Sequence, residues 1–319
     1  MTCTEATRFK ACPGMTAWLL ERQVSLLVTG YASARLFLVG SQQGRLSFQE
    51  RDFVPCMGVA AHRGLIYLGT RTSLWSFDPK PGYLKPVRCW VTDNVRIHDV
   101  GVDRVGTPLL VNTLHNCLVT PRSRGIGFEV VWKPDFISST EQGDRCHLNG
   151  LAMHAGRACF VTLVARSDEV DGWRQSKVGG GCVVEVSSQR VVLDGLTMPH
   201  SPRLYRDRLW VHDSGSGWLG WVDQTRGRFV RHAFVPGFPR GLCFCGDYAL
   251  VGVSTIRYFG QTEFPIEAEL TSRELDDFCG VCVICLETGA TVGTLSFEGL
   301  AEVYDLEVIP APHLELRWT

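Results

Sequence analysis

The feature that most constrains this chain is a short stretch that recurs at intervals of 39 to 64 residues. Each copy has a polar residue, a small or turn-permissive anchor, a short apolar run, a turn and a second apolar run. The anchors are Gly58, Asp99, Gly150, Pro202, Gly241 and Asp305. Their spacings are 41, 51, 52, 39 and 64 residues, and an insertion around 257–278 accounts for the last. Repeats of about 40 to 50 residues are typical of β-propeller blades, which surround a central channel.

The rest of the sequence agrees with an all-β fold. Short runs rich in Val, Leu, Phe and Trp alternate with turns, and the chain holds 33 Gly and 15 Pro. Helical periodicity is weak, and residues 17–22 and 267–275 offer short helices at most. We predict an all-β, six-bladed β-propeller, or seven blades if residues 24–52 complete a blade alone. Residues 1–22 are predicted to form an N-terminal arm or cap, and residues 23–319 a single propeller domain.

The two ends of the chain are predicted to close the ring. Strands expected at 24–28, 35–39 and 45–50 precede the first anchor and lack an inner strand of their own. If they pair with the C-terminal strand Val303–Ile309, one blade is made from both ends of the chain. Such closure leaves no free sheet edge between the first and last blades.

Charge and hydropathy narrow the classes of function. The net charge is −1 and the basic residues are scattered, which argues against a nucleic-acid partner. No apolar run approaches the roughly 20 residues that span a bilayer, and residues 1–10 lack the apolar core of a signal peptide. We therefore expect a cytoplasmic protein that binds a small molecule or a peptide and has no membrane partner. Its oligomeric state is left open.

The 13 cysteines are predicted to be reduced thiols, because their number is odd and no secretion signal is evident. Cys279, Cys282 and Cys285 have a spacing that occurs in iron–sulfur proteins. They lie in a predicted strand, however, where residues three apart point to opposite faces. We interpret them as small buried hydrophobic residues.

Polar residues next to the anchors indicate a functional site at one mouth of the channel. One position before the anchors stand Met57, His98, Asn149, Ser201, Arg240 and Tyr304. Two of the anchors are themselves acidic, and two further histidines, His147 and His200, stand close to the same level. If these positions served only to pack the channel, small apolar residues would occupy them. The concentration of polar groups therefore indicates a binding or catalytic site.

The histidines suggest a metal site. His98, His147 and His200 come from consecutive predicted blades and would offer three imidazole nitrogens to Zn²⁺ or Fe²⁺, with one coordination position open. Asp99 and Asp305 are the acidic candidates for catalysis and would orient a ligating imidazole or bind the metal. Two alternatives stay open: the histidines bind substrate without a metal, or they are buried core residues.

The remaining site candidates are predicted to contact substrate. Arg240 would bind a substrate carboxylate through both guanidinium nitrogens. Tyr304 would act as acid, base or hydrogen-bond donor to an oxyanion. Asn149 belongs to the same level, and Trp173 and Arg174 lie on a loop of the fourth blade that would overhang the mouth.

Several stretches of the chain resemble a bacterial family of uncharacterised, propeller-like conserved hypothetical proteins. They are His147–Ala152, Gly172–Arg174 with Gly179–Gly180, Met198–Arg203, Pro236–Leu242 and Tyr304–Asp305. The resemblance covers about residues 24 to 310. It implies a propeller and brings no settled activity.

The chain is also similar, more weakly, to propeller enzymes that hold a central metal. These are the gluconolactonase and regucalcin type and the peptidyl-hydroxyglycine lyase type. The lyase likeness implies metal positions at the three histidines, with Arg240 as substrate clamp and Tyr304 as acid or base. The glutamate that the gluconolactonase type carries on its first inner strand has no counterpart beside Met57.

These observations predict a metal-assisted lyase or hydrolase at the channel mouth, with Zn or Fe as cofactor. Its substrate would be a small carboxylate-bearing molecule or a modified peptide. The alternative is a non-catalytic propeller that binds a peptide or protein partner.

Overall fold

Six sheets of four or five strands are arranged as a closed ring in the computed structural model, which describes residues 7–80, 82–256 and 262–316. The first elements are β1 (Arg8–Ala11), α1 (Pro13–Arg22), β2 (Ser25–Gly30), β3 (Arg35–Gln42) and β4 (Arg45–Asp52). The next are β5 (Cys56–His62), β6 (Leu65–Thr70), β7 (Ser73–Lys80), β8 (Gly82–Val91), β9 (Ile97–Val102), β10 (Pro108–Asn112), β11 (Cys117–Pro121) and β12 (Phe128–Trp132).

The second half of the chain continues the same pattern. It contains β13 (Leu148–His154), β14 (Arg157–Leu163), β15 (Gly181–Glu185), β16 (Val191–Leu196), β17 (Pro199–Tyr205), β18 (Arg208–Asp213), β19 (Trp218–Asp223) and β20 (Arg228–Phe234). It ends with β21 (Phe238–Cys245), β22 (Tyr248–Ser254), α2 (Pro265–Arg273), β23 (Gly280–Cys285), β24 (Thr291–Glu298), β25 (Asp305–Ile309) and β26 (Leu314–Glu315). The fold is therefore the predicted six-bladed β-propeller.

Each blade is a meander of four antiparallel strands. Blades two to five take their strands in chain order from β5–β8, β9–β12, β13–β16 and β17–β20, and blade six is β21–β24. Short additions at the outer edges make two blades five-stranded: β26 runs parallel to β8 in blade two, and β1 pairs with β24 in blade six. The first strand of each blade lies beside its counterparts in the two neighbouring blades, so these six strands line the channel.

Blade one closes the ring as predicted. Its inner strand β25 comes from the C-terminus and pairs with β2, in a register that sets Leu26 opposite Val308. Strands β3 and β4 complete the sheet. The count is six rather than seven, because the N-terminal strands depend on β25 for their inner strand.

The core is divided among the gaps between blades. Six apolar clusters each join residues of two neighbouring blades. In β2, for example, Leu26 and Val28 pack against blade six, whereas Leu27 packs against blade two. Side chains alternate between the two faces of a strand. Because each blade is covered on both faces by its neighbours, these strands have continuous apolar sequences rather than alternating ones. Cys279 and Cys282 likewise belong to different clusters on opposite faces of their sheet.

The N-terminal segment packs on blades one and six. Met15, Trp18 and Leu19 of α1 are buried in the apolar cluster between these blades. The predicted helical stretch 17–22 lies within α1. In the insertion after β22, the predicted helix appears as α2; residues 257–261 of that insertion lie outside the described residues. Neither helix of the described part of the chain is long and apolar enough to span a membrane.

Candidate functional site

A pocket of about 290 Å³ opens at the end of the channel where the inner strands begin. Four residues that stand one position before the anchors line it: the predicted site residues His98, Arg240 and Tyr304, and also Met57. The predicted His147, Trp173 and Arg174 line it as well. The structure therefore brings seven separately identified residues to one mouth of the propeller, which we call the mouth pocket.

A histidine–carboxylate pair forms one wall of the mouth pocket. His147 Nδ1 lies 2.6 Å from Oδ2 of Asp144, and the backbone N–H of His147 donates to Oδ1 of the same carboxylate. Burial acts to raise the pKa of Asp144, but the neighbouring His147 and His98 hold it below its usual range. An ionised carboxylate only accepts hydrogen bonds, so Nδ1 of His147 carries a proton and donates it to Asp144.

The loop that carries this pair is held by an asparagine of blade three. Asn116 donates from Nδ2 to the carbonyl of Gly143, and its Oδ1 accepts the backbone N–H groups of Arg145 and Cys146. His147 itself adopts a left-handed conformation, with φ of 51°. Such conformations are uncommon outside glycine and are retained where surrounding contacts enforce them. The pair is thus fixed before any ligand binds.

His98 stands between His147 and Tyr304. Its ring centroid is 5.2 Å from that of His147 and 5.6 Å from that of Tyr304, with edge-on geometry in both cases. Nδ1 lies 2.9 Å from the carbonyl oxygen of Arg96, which can only accept a hydrogen bond, so this nitrogen is protonated. Burial, together with His147 and Arg240, lowers the pKa of His98 to about 3. His98 is therefore a neutral imidazole whose Nε2 can accept a hydrogen bond.

Tyr304 and Arg240 form the floor of the mouth pocket. The guanidinium of Arg240 lies 5.3 Å from the ring centroid of Tyr304 and 5.4 Å from that of Phe238. Burial raises the pKa of Tyr304 well above its usual value, although Arg240 opposes the shift. The phenol is thus a hydrogen-bond donor at neutral pH. Among the described residues its hydroxyl has no hydrogen-bond partner, although only 6% of the residue is exposed.

Trp173 covers the histidine–carboxylate pair. Its ring stacks on His147 with centroids 4.1 Å apart, and the guanidinium of Arg174 lies 4.4 Å above the indole. Backbone N–H groups of Asp171 and Trp173 donate to the carbonyls of Asp144 and Arg145, which joins the two loops. Trp173 also packs in an apolar cluster with residues of α2. The indole N–H is buried and lacks a partner within the described chain.

A family model described as "Domain of unknown function (DUF4915)" matches residues 13–315. The chain belongs to the DUF4915 family. No curated protein matches it in sequence.

Solved structures similar to this DUF4915 protein share its fold at low sequence identity. A chain of the nidogen/laminin complex is 9% identical with a TM-score of 0.59, and the match covers 90% of this chain and 99% of that one. A protein of unknown function from Bacteroides caccae is 13% identical with a TM-score of 0.57, again covering 90% and 99%. A virginiamycin B lyase from Staphylococcus aureus, 9% identical, covers 91% and 99% with a TM-score of 0.46. The first two likenesses concern the fold, and none of the three assigns chemistry to the DUF4915 chain.

Two predicted site residues of the DUF4915 protein are buried outside the lining of the mouth pocket. Asn149 accepts a hydrogen bond from the hydroxyl of Thr162, and its side-chain nitrogen has no partner among the described residues. His200 places Nδ1 at 2.8 Å from the carbonyl of Met198 and 3.1 Å from Oγ of Ser214. Burial and Arg240 lower the pKa of His200 well below its usual value, so its ring is neutral.

Asp99 and Asp305 lie deeper in the channel than the sequence predicts. Each carboxylate accepts a backbone N–H from another blade: Asp99 Oδ2 from Leu151 at 2.8 Å, and Asp305 Oδ2 from Val59 at 3.0 Å. Arg203 pairs with Asp99 through both guanidinium nitrogens, at 2.7 and 3.1 Å, and lies 3.8 Å from Asp305. Both aspartates are thus engaged in joining blades, and neither lines the mouth pocket.

The predicted metal site is only partly assembled in this geometry. In His98, His147 and His200, Nδ1 is engaged by a carbonyl or carboxylate, which is the usual arrangement behind a metal-binding Nε2. Within the described residues, however, no group of three or more His, Cys, Asp and Glu side chains is arranged to hold a metal ion. Metal binding by this DUF4915 protein therefore stays a prediction.

Asp144 is the principal site residue absent from the sequence-based set. The sequence feature that could have identified it is its position three residues before His147, where an aspartate side chain can accept a backbone N–H group in a turn. Arg96 and Glu302 also line the mouth pocket. Both precede inner strands rather than lying in them, so a search confined to the strand positions passes over them.

Proposed function

We propose that this DUF4915 protein is an enzyme that uses general acid–base catalysis on a small anionic molecule, with a lyase as the favoured reaction class. The observation that carries the proposal is the buried contact of 2.6 Å between Asp144 and His147 inside the mouth pocket. A histidine oriented by a carboxylate and facing a pocket is a recurrent arrangement of catalytic bases.

His147 would act as the base. Asp144 holds the proton on Nδ1, which leaves the Nε2 lone pair to take a proton from the substrate. The same carboxylate would stabilise the imidazolium that results. The Trp173 ring on one face of the imidazole and the edge of His98 beside it restrict its rotation.

Arg240 and Tyr304 would stabilise negative charge. A carboxylate bound near Arg240 would place its α-carbon close to the histidines, and the Tyr304 phenol would donate to an oxyanion that forms during proton removal. The pocket walls supply no serine, threonine or cysteine among the described residues, so we favour proton transfer over a covalent mechanism.

In a β-elimination, His147 would remove the proton from the carbon beside the carboxylate. The electrons of the C–H bond would form the new double bond, and the group on the next carbon would leave with its bonding pair. Hydrolysis is the other reaction open to the same base, with water in place of the C–H group as the proton donor.

A metal ion held by His98, His147 and His200 remains a predicted alternative to the base role of His147, because an imidazole nitrogen that binds a metal cannot also take up a proton. Elemental analysis of untagged protein tests it. About one equivalent of zinc or iron, lost in a folded His147→Ala/His200→Ala double variant, would establish a metal site. Protein that contains no metal and gains none on reconstitution would contradict the prediction.

The reaction class is tested by incubating the protein with malate and 3-hydroxyglutarate in deuterium oxide, because both carry a hydroxyl on the carbon next to a C–H group that is beside a carboxylate. We expect NMR to show loss of the C–H signal beside a carboxylate, or appearance of the alkene. Monocarboxylic 3-hydroxy acids, which keep the proton beside the carboxylate and the hydroxyl on the next carbon, test whether one carboxylate suffices. Binding of these acids without proton exchange, elimination or hydrolysis would favour the alternative of a non-catalytic binding propeller.

A further inference from the structure

We infer that the ligand of the mouth pocket carries two oxyanion groups, one bound at Tyr304 and Arg240 and the other at Trp173 and Arg174. This inference rests on the proposed site and adds a substrate class to it. Short-chain dicarboxylates are the simplest molecules of this class.

Four rings form a row along the pocket wall. Tyr304, His98, His147 and Trp173 follow one another with centroid separations of 5.6, 5.2 and 4.1 Å. The two histidines are in the middle of the row, and Tyr304 and Trp173 are at its ends. A ligand that lies along the row would therefore have its central carbons opposite the histidines.

Both ends of the row present hydrogen-bond donors that lack acceptors. The Tyr304 hydroxyl and the Trp173 indole N–H are buried, and neither has a partner within the described part of the chain. An indole nitrogen only donates, and a phenol hydroxyl can donate its hydrogen to an oxyanion. Leaving such a buried donor without an acceptor costs about 1–3 kcal/mol. An oxyanion at each end would supply both acceptors.

An arginine side chain lies next to each of these two donors. Arg240 lies over the Tyr304 ring, and Arg174 lies over the Trp173 ring. Arg174 is about half exposed and pairs with Asp171 at the surface, so it can move to admit a ligand to the indole.

The acidic residues of the pocket are already engaged. Both oxygens of Asp144 bind His147, and Glu302 accepts the backbone N–H of Ala32 at 2.7 Å. Arg96 also lines the pocket, so among the described lining residues there are three arginines and two acids. The described lining therefore carries more positive than negative side chains, which favours an anionic ligand over a cationic one.

Calorimetric titration with non-reacting probes tests the inference. Succinate, glutarate and adipate are compared with butyrate, which has one carboxylate. Because a second charge-assisted hydrogen bond is gained, we expect at least one dicarboxylate to bind about tenfold more tightly than butyrate. Equal affinities, or no binding by any dicarboxylate, would overturn the inference.

Two variants locate the second oxyanion. Trp173→Phe keeps an aromatic ring on His147 but removes the N–H donor, and Arg174→Gln removes the charge from a half-exposed position where the fold is insensitive to it. Each is expected to weaken dicarboxylate binding about tenfold, which removes the preference over butyrate. Trp221→Phe, in the outer part of blade five, is the control. If both Trp173→Phe and Arg174→Gln still bound dicarboxylates more tightly than butyrate, the second oxyanion would not lie at Trp173 and Arg174.

Failure of this inference is distinguishable from failure of the proposed function, because the titration requires no turnover. A dicarboxylate that binds but is never converted would leave the inference intact and remove the proposed chemistry. Elimination from a monocarboxylic acid, with no dicarboxylate preference, would do the reverse.

Discussion

Arg203→Ala is expected to lower the free energy of unfolding by about 3–5 kcal/mol, the usual result of removing one partner of a buried ion pair. Arg203 extends from blade five to Asp99 in blade three, and its second nitrogen approaches Asp305 in blade one. The arginine therefore connects three of the six blades across the channel.

The magnitude follows from burial of the partners. Asp99 is 2% exposed and Asp305 is 3% exposed. Burial raises the pKa of Asp305 to about 8, with Arg203 acting in the opposite direction. Without the arginine, Asp99 would have to remain charged without a counter-ion or take up a proton, and either alternative costs free energy. Arg203→Lys is expected to recover only part of the loss, because an ammonium cannot bind both carboxylate oxygens in the same fork.

Chemical denaturation measures this effect. Arg206→Ala is the matched control, since Arg206 lies in the turn after the same strand and forms an exposed ion pair with Asp247. Its loss is expected to change stability by less than about 1 kcal/mol. If Arg203→Ala were no less stable than Arg206→Ala, the channel ion pairs would not hold the ring together as described.

His147→Asn is expected to reduce turnover by about 10²–10⁴-fold, the range that general acid–base groups contribute. Asparagine tolerates the left-handed backbone that His147 adopts, so the loop conformation should be retained. Asp144→Asn is expected to reduce turnover as well, because an amide no longer dictates which imidazole nitrogen carries the proton.

The assay is the deuterium-exchange or elimination reaction of whichever hydroxy acid the protein accepts. His154→Asn is the control, since His154 is exposed at the end of β13, the strand that begins directly after His147. A loss confined to His147→Asn and Asp144→Asn supports the pair as the catalytic base. Full activity in His147→Asn would exclude it from that role.

The fold could be predicted from sequence because its determinants are periodic. The spacing of the anchors predicts the number and length of the blades. The strands before the first anchor have no inner strand of their own, so they had to share a blade with the C-terminal strand, and the pairing of β2 with β25 confirms this prediction. Much of the mouth pocket could be predicted from the sequence for the same reason. Met57, His98, Arg240 and Tyr304 hold equivalent places in their blades and therefore reach the same end of the channel.

The errors in placing site residues have local causes. Neighbouring residues in a strand point to opposite faces, so His98 and Asp99 cannot both enter one pocket. Asp99 instead meets Arg203, a partner 104 residues away in sequence that no local pattern reveals. Asp144 lies in a loop whose course depends on hydrogen bonds to Asn116 of another blade. Contacts between blades, rather than the repeat itself, determine these positions.

The most direct test of the mouth pocket as the functional site is the indole N–H spectrum during titration with a dicarboxylate. The chain has nine tryptophans, and the Trp173 resonance is identified by its loss in Trp173→Phe. We predict that the Trp173 signal shifts with the same dissociation constant that calorimetry gives, while the signal of Trp221 stays in place. Saturable binding that shifts other indole signals and leaves Trp173 unchanged would place the ligand elsewhere and contradict the account.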